Sequence, residues 1–147
     1  MMTEQRVIQL LGGKRAIGKQ VERELDFDAE IRKGFQSRVF VSFKENTRFS
    51  NSVMSRVLGV SPRTIDRFYL VKVGERIKPA VSDRLYRAAK VVALAEEVFG
   101  SLIEAIEWLS GDQTVLGNRR PIELLETDAG TREVEEELQR IEHGFVA

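Results

Sequence analysis

Apolar side chains recur at helical spacing along most of the chain, and this pattern predicts an all-α protein. The clearest helix covers residues 81–99, with apolar positions three or four residues apart at Val81, Leu85, Ala88, Val92, Ala95 and Phe99. Gly100 follows it as a stop signal. A last helix is expected from Thr131 to His143, because its apolar residues share one face and glutamates occupy the others.

The first third of the chain is less regular. Apolar residues at Ile31, Phe35 and Val39 predict one helix from Glu30 to about Glu45, although the run from Val39 to Val41 leaves a strand open. Further upstream, the apolar cluster of residues 7–11 is too short to assign to either element. Residues 1–29 are therefore predicted to be an irregular N-terminal segment.

Two more helices are expected in the last third. Ser101 and Glu104 have the spacing of a capping box, which predicts a helix that runs to Ser110. After a loop from Asp112 to Arg120, Pro121 is typical of a first helical position, where a missing backbone donor costs nothing.

Helix start and stop signals between residues 50 and 70 predict a helix-turn-helix. A helix over 52–58 is followed by Gly59, since glycine takes the left-handed cap conformation without a Cβ penalty. Ser61 then serves as N-cap and Pro62 as first residue of the next helix. A DNA-binding and dimerisation domain is predicted over residues 30–80.

The second of these helices has the features of a DNA reader. Arg63, Thr64 and Arg67 are expected outside while Ile65 and Phe68 face inward, which suits a helix in the major groove. A surface arginine can equally be a solvated or locally paired charge. With backbone clamps included, the predicted DNA contacts are Arg48, Arg56, Ser61, Arg63, Thr64, Arg67 and Lys72.

Composition excludes several classes of site. The 147 residues contain no cysteine and one histidine, so we expect no disulfide, no metal site and no cofactor. Gly12-Gly13-Lys14 resembles the end of a phosphate loop, but Arg15 replaces the required Ser or Thr. No nucleophile and base are spaced for catalysis, so an enzyme is not expected. Without an apolar run long enough for a membrane span or a signal sequence, a cytoplasmic protein is predicted.

The formal net charge of zero hides two oppositely charged parts. Residues 1–90 hold 19 basic and 10 acidic side chains, whereas residues 91–147 hold 4 and 13. The basic part suits phosphate contacts, and the acidic part suits a basic protein surface. The alternative is that both charged parts are only solvent-exposed surfaces without a charged partner.

The C-terminal third carries a family resemblance. The segment from Leu116 to Gly130, LGNRRPIELLETDAG, followed by Val134, Leu138 and residues 140–144, closely resembles the toxin-binding domain of Xre/MbcA/ParS antitoxins. The likeness continues upstream through residues 82–85, 95–100 and 108–109, and covers roughly residues 30–147. Asn118 departs from the usual second glycine, but asparagine tolerates the left-handed conformation, so the turn is expected to survive.

The resemblance implies a type II antitoxin, paired with a RES-domain toxin that consumes NAD or uses it to modify a target protein. In that family the C-terminal domain binds the toxin and its end obstructs the toxin's active site. The helix-turn-helix region supports dimerisation and binds promoter DNA. A helical toxin-binding domain over residues 81–147, with an inhibitory tail, and a homodimer that forms a larger complex with toxin are therefore expected.

The resemblance also indicates which residues meet the toxin. Glu137 and Glu142 are expected to pair with basic residues that bind NAD phosphates, while the final tripeptide fills the pocket. A fold-back of Phe145 and Val146 onto the core is the alternative. The predicted toxin contacts are Asn118, Arg119, Glu137, Arg140, Ile141, Glu142, His143, Gly144, Phe145, Val146 and Ala147. The alternative function is a stand-alone regulator with an acidic dimerisation or effector domain.

Overall fold

A computed structural model describes residues 2–18, 21–70 and 74–144. Over these ranges the chain is helical, as predicted, and none of the described helices has the length and apolarity to cross a bilayer. The α-helices are α1 (Met2–Leu10), α2 (Lys14–Ile17), α3 (Glu24–Lys33), α4 (Ser37–Thr47), α5 (Asn51–Leu58), α6 (Pro62–Phe68), α7 (Pro79–Phe99), α8 (Leu102–Ser110), α9 (Pro121–Leu124) and α10 (Asp128–Glu142).

The long helix α7 lies at the centre of the fold. It packs against α1, α3 and α5 from the N-terminal part and against α8 and α10 from the C-terminal part. Its buried positions surround the helix rather than forming one stripe, as expected for a helix covered on several sides. Because α7 contacts both parts, it fixes how the helix-turn-helix and the C-terminal helices are joined.

The prediction of an irregular segment over residues 1–29 is wrong. Helices α1 and α2 and the start of α3 occupy it, and Val7, Leu10 and Leu11 are buried. An ion pair between Arg6 and Glu96 also ties α1 to α7. A nine-residue helix has little stability of its own, so this element depends on tertiary contacts that local sequence does not reveal.

The single helix predicted from Glu30 to Glu45 is also wrong, because Gly34 divides it. Gly34 has φ 85° and ψ 130°, ends α3 and turns the chain before α4 begins at Ser37. The backbone of Phe35 then accepts a hydrogen bond from the Ile77 N–H at 2.7 Å. Residues 39–41 are helical, so the strand alternative is not realised.

Other boundaries follow their local signals closely. Ser101 Oγ accepts the Glu104 N–H at 3.1 Å, although the Glu104 carboxylate meets the Ser101 hydroxyl rather than its backbone. Pro121 begins α9 and Gly100 ends α7, as predicted. Helix α10 begins three residues before the predicted Thr131, because Thr127 caps it by accepting the Gly130 N–H at 2.9 Å.

Candidate functional site

The predicted turn between α5 and α6 forms as its chemistry indicates. Gly59 is left-handed, with φ 67° and ψ 38°. Ser61 Oγ accepts the Thr64 N–H at 3.1 Å, and Pro62 is the first residue of α6. The predictions for this turn are confirmed, and Ser61 and Thr64 lie side by side at the N-terminus of the second helix.

Helix α6 is anchored by its buried side chains, and a residue of α7 holds the end of α5 before the turn. Ile65 is fully buried and Phe68 nearly so, with the Phe68 ring 5.2 Å from that of Phe40 on α4. From α7, Arg84 Nη1 donates to the Leu58 carbonyl at 3.0 Å, at the end of α5. These contacts leave the opposite side of α6 exposed.

The exposed side of this motif carries unpaired cations. Arg63 and Arg67 lie on α6, and Arg48 lies at the end of α4 in a left-handed conformation with φ 62°. Among the described residues, none of these three arginines has an ion-pair or side-chain hydrogen-bond partner. Guanidinium groups in this state are available to phosphates or base edges. Lys72, the remaining predicted clamp, lies outside the described residues.

Arg56 differs from the other predicted DNA contacts because it is already paired. Its Nη1 lies 3.0 Å from Glu123 Oε1 and its Nη2 lies 3.2 Å from Glu126 Oε2. Arg120 also binds Glu123, at 2.7 Å, and chiefly this guanidinium holds the pKa of the Glu123 carboxyl below its usual range. The sequence did not indicate these carboxylates as functional, since no local signal links α5 to residues about 70 positions later.

The second candidate surface begins at the loop before α9. Gly117 and Asn118 are both left-handed, with φ 72° and 57°, so the asparagine does preserve the turn. The Gln113 N–H donates to the Arg119 carbonyl at 3.1 Å and closes the loop. The Arg119 side chain is exposed and has no partner within the described ranges. A free guanidinium therefore stands at the tip of this loop.

Helix α10 brings only some of its predicted toxin contacts to the surface. Glu137 binds Arg140 through two hydrogen bonds of 2.9 and 2.6 Å, and its side chain is only 11% exposed. That carboxylate is thus satisfied within its own helix. Glu142 and His143 are exposed, whereas Ile141 is half-buried.

The end of the chain is described up to Gly144. This residue is exposed and left-handed, with φ 62°, directly after α10. The predicted inhibitory residues Phe145, Val146 and Ala147 lie outside the described residues. The choice between a pocket-filling tail and a fold-back therefore stays a prediction.

An apolar feature on α8 was not among the predicted site residues. Ile103 is 73% exposed, and Val115 in the 3₁₀ turn Thr114–Leu116 is 62% exposed. Trp108 is half-buried, and its ring lies tilted against that of Phe99, with the ring centroids 5.6 Å apart. The helical pattern places Ile103 away from Ala105 and Leu109, which are buried, so the sequence alone could have indicated its exposure.

Comparison with known proteins identifies both modules. Residues 26–90 match the antitoxin Xre-like helix-turn-helix domain, and residues 94–144 match the antitoxin Xre/MbcA/ParS C-terminal toxin-binding domain. The two matched ranges meet inside α7, whereas the division predicted from the sequence falls at residue 80, near its start. That division stays a prediction.

Two relatives bear the same name. The chain is 31% identical to the antitoxin Xre of Yersinia enterocolitica over 131 residues, which cover 88% of this chain and 87% of that protein. It is 42% identical to the antitoxin Xre of Pseudomonas putida over 64 residues, or 44% of this chain and only 40% of that protein. The order of the two domains and the near full-length match with the Yersinia protein lead to one conclusion: the chain belongs to the Xre/MbcA/ParS-type antitoxins.

Proposed function

We propose that this chain is the antitoxin of a type II system. It neutralises a RES-domain, NAD-consuming toxin by blocking the toxin's active site. It also binds promoter DNA and thereby regulates its own operon. One observation carries the proposal: α7 joins a helix-turn-helix that has unpaired arginines to an acidic toxin-binding module. In this function the chain acts by binding, as an inhibitor and a regulator, and not as an enzyme.

On the DNA side, Arg63, Thr64 and Arg67 are the proposed readers. They lie on the first two turns of α6, whose inner face is anchored by buried aromatic and aliphatic side chains. Arg48 supplies a phosphate contact from the end of α4. A single reading helix gives limited operator affinity, so we include a homodimer that presents two of them to a symmetric site.

On the toxin side, the exposed members of the predicted set are the proposed contacts. Asn118 and Arg119 are exposed in the loop before α9, and Arg140 and residues 142–144 are exposed at the end of α10. A site that binds NAD phosphates needs basic residues, and the acidic C-terminal part is complementary to such a surface. The final residues 145–147, apolar in sequence, then fill the pocket and exclude NAD.

The direct test is to co-purify the chain with the tagged product of the neighbouring toxin gene and to measure NAD consumption. We expect a stable complex in which NAD loss is suppressed in proportion to the chain added. Suppression by the double variant Arg63→Ala/Arg67→Ala should be the same, because those residues face DNA. Absence of a complex, with specific promoter binding intact, would reject the toxin role and favour a stand-alone regulator.

Deleting residues 144–147 separates toxin binding from active-site blocking. We expect the shortened chain to stay folded and to bind toxin within about tenfold of the full chain, since the other contacts remain. NAD consumption should nevertheless continue in that complex. Full suppression by the shortened chain would show that its last residues do not block the site.

A further inference from the structure

A cluster of four charged side chains connects the helix-turn-helix to the toxin-binding module. Arg56 extends from the last turn of α5 to Glu123 in α9 and to Glu126 just after it, at 3.0 and 3.2 Å. Arg120 binds the same Glu123 oxygen, at 2.7 Å. Helices α5 and α9 also pack beside each other. The cluster is thus part of the packing between the two modules.

The charge of this cluster does not suit a phosphate contact. Two guanidinium groups face two carboxylates, so the local net charge is zero, and both Nη atoms of Arg56 already have anionic partners. A phosphate would have to displace these carboxylates and would meet their repulsion. By contrast, Arg48, Arg63 and Arg67 have no such partner in the described part of the chain.

The position of Arg56 explains what the cluster can do instead. Leu58 ends α5 two residues later, and α6 begins at Pro62 after a short capped turn. Arg84 of α7 donates to the Leu58 carbonyl at the end of α5, and Arg56 in the last turn of α5 binds Glu123 and Glu126. Two arginine contacts thus hold the end of α5, next to the turn that leads into α6.

We propose that Arg56 is a positioning residue of the DNA reader: Glu123 and Glu126 of the toxin-binding module hold it, and the orientation of α6 on DNA depends on this contact. The inference rests on the proposed DNA binding. It also gives the toxin-binding module a direct influence on promoter affinity, because Arg120 of this cluster adjoins the loop of Asn118 and Arg119. A change in that loop can reach α5 through a single shared carboxylate.

A double-mutant cycle between Arg56 and Glu126 tests this. Glu126 is preferred to Glu123 because it has no second arginine in the cluster. We expect Arg56→Gln and Glu126→Gln each to weaken binding to a duplex of the gene's own promoter region about threefold to tenfold. The double variant should be no weaker than either one, since the pair acts as a unit. The dependence of affinity on salt should keep its wild-type slope, because no phosphate contact is lost.

The direction in which Glu126→Gln changes DNA affinity distinguishes a positioning role of Arg56 from a direct phosphate contact. Removing a negative charge would strengthen DNA binding slightly if Arg56 were a phosphate contact, and Arg56→Gln would then reduce the salt slope by about one. That pair of results would overturn the proposal, and so would wild-type affinity in all three variants. Arg132→Gln, which breaks the Asp128 pair on α10, is the matched control and should bind DNA as wild type does.

Amide hydrogen exchange provides a readout that does not require DNA. In Arg56→Gln and in Glu126→Gln, exchange in α6 should rise to the same extent, and the double variant should add nothing further. Unchanged exchange in α6 would reject the positioning role even if promoter binding failed. Absence of specific promoter binding by the wild type, with exchange altered as expected, would instead reject only the proposed DNA function.

Discussion

The double variant Arg63→Ala/Arg67→Ala is expected to bind promoter DNA at least about 30-fold more weakly than wild type at matched salt. Each guanidinium that contacts a base edge or phosphate contributes about 1–3 kcal/mol, and both arginines lie exposed and unpaired on α6. Fold stability should hardly change, because neither side chain is part of the core. Fluorescence anisotropy with promoter and unrelated duplexes measures the loss.

Removing two positive charges would weaken DNA binding to some extent anywhere on the protein. The control is therefore Arg132→Ala/Arg140→Ala, which removes the same charge from α10. It should bind DNA within about twofold of wild type. Equal DNA affinity for both double variants would show that α6 is not the reading helix.

The parts of the fold that followed from the sequence are those whose cause is local. Gly59, Ser61 and Pro62 specify a cap, a hydrogen-bond acceptor and a helix start within four residues, and the structure has each of them. Gly100 marks the end of α7 and Pro121 the start of α9, for equally local reasons. Local chemistry therefore predicted the helix-turn-helix and most of the C-terminal helices.

The errors arose where the deciding contact is distant in sequence. Helix α1 is stabilised by α7, whose Glu96 lies 90 positions after Arg6. The break at Gly34 depends on residues 76 and 77, which follow the helix-turn-helix in the sequence and lie close to Gly34. No periodicity in either segment contains that information.

The candidate sites show the same limit at the level of side chains. Sequence indicated which arginines and glutamates belong to each module, but it could not indicate how they pair. Arg56 pairs with Glu123 in α9 and with Glu126 just after it, and Glu137 pairs with Arg140 one turn away. Partner choice among long charged side chains depends on packing and rotamers, so a list of exposed cations becomes a proposed DNA surface only when the paired ones are removed.

Replacing Gly34 by alanine is expected to lower the free energy of unfolding by about 4 kcal/mol and the melting temperature by about 10 °C. A Cβ on Gly34 would lie 2.1 Å from the backbone oxygen of Ile77. Residues other than glycine are also strained at φ 85°. Backbone at Ile77 cannot move freely, because its N–H is bonded to the Phe35 carbonyl and its carbonyl accepts from Ser82 Oγ.

Gly13→Ala is the control that separates the steric clash of an added Cβ from the backbone strain of a positive φ. Gly13 has the same φ of 85°, with ψ 172°, and no atom lies within 4 Å of the position of its Cβ. We expect a loss of only about 1–2 kcal/mol there. The difference between the variants then measures the close approach that joins α3 and α4 to the segment before α7. Equal losses in thermal melts of both proteins would mean that this segment shifts to admit a methyl group.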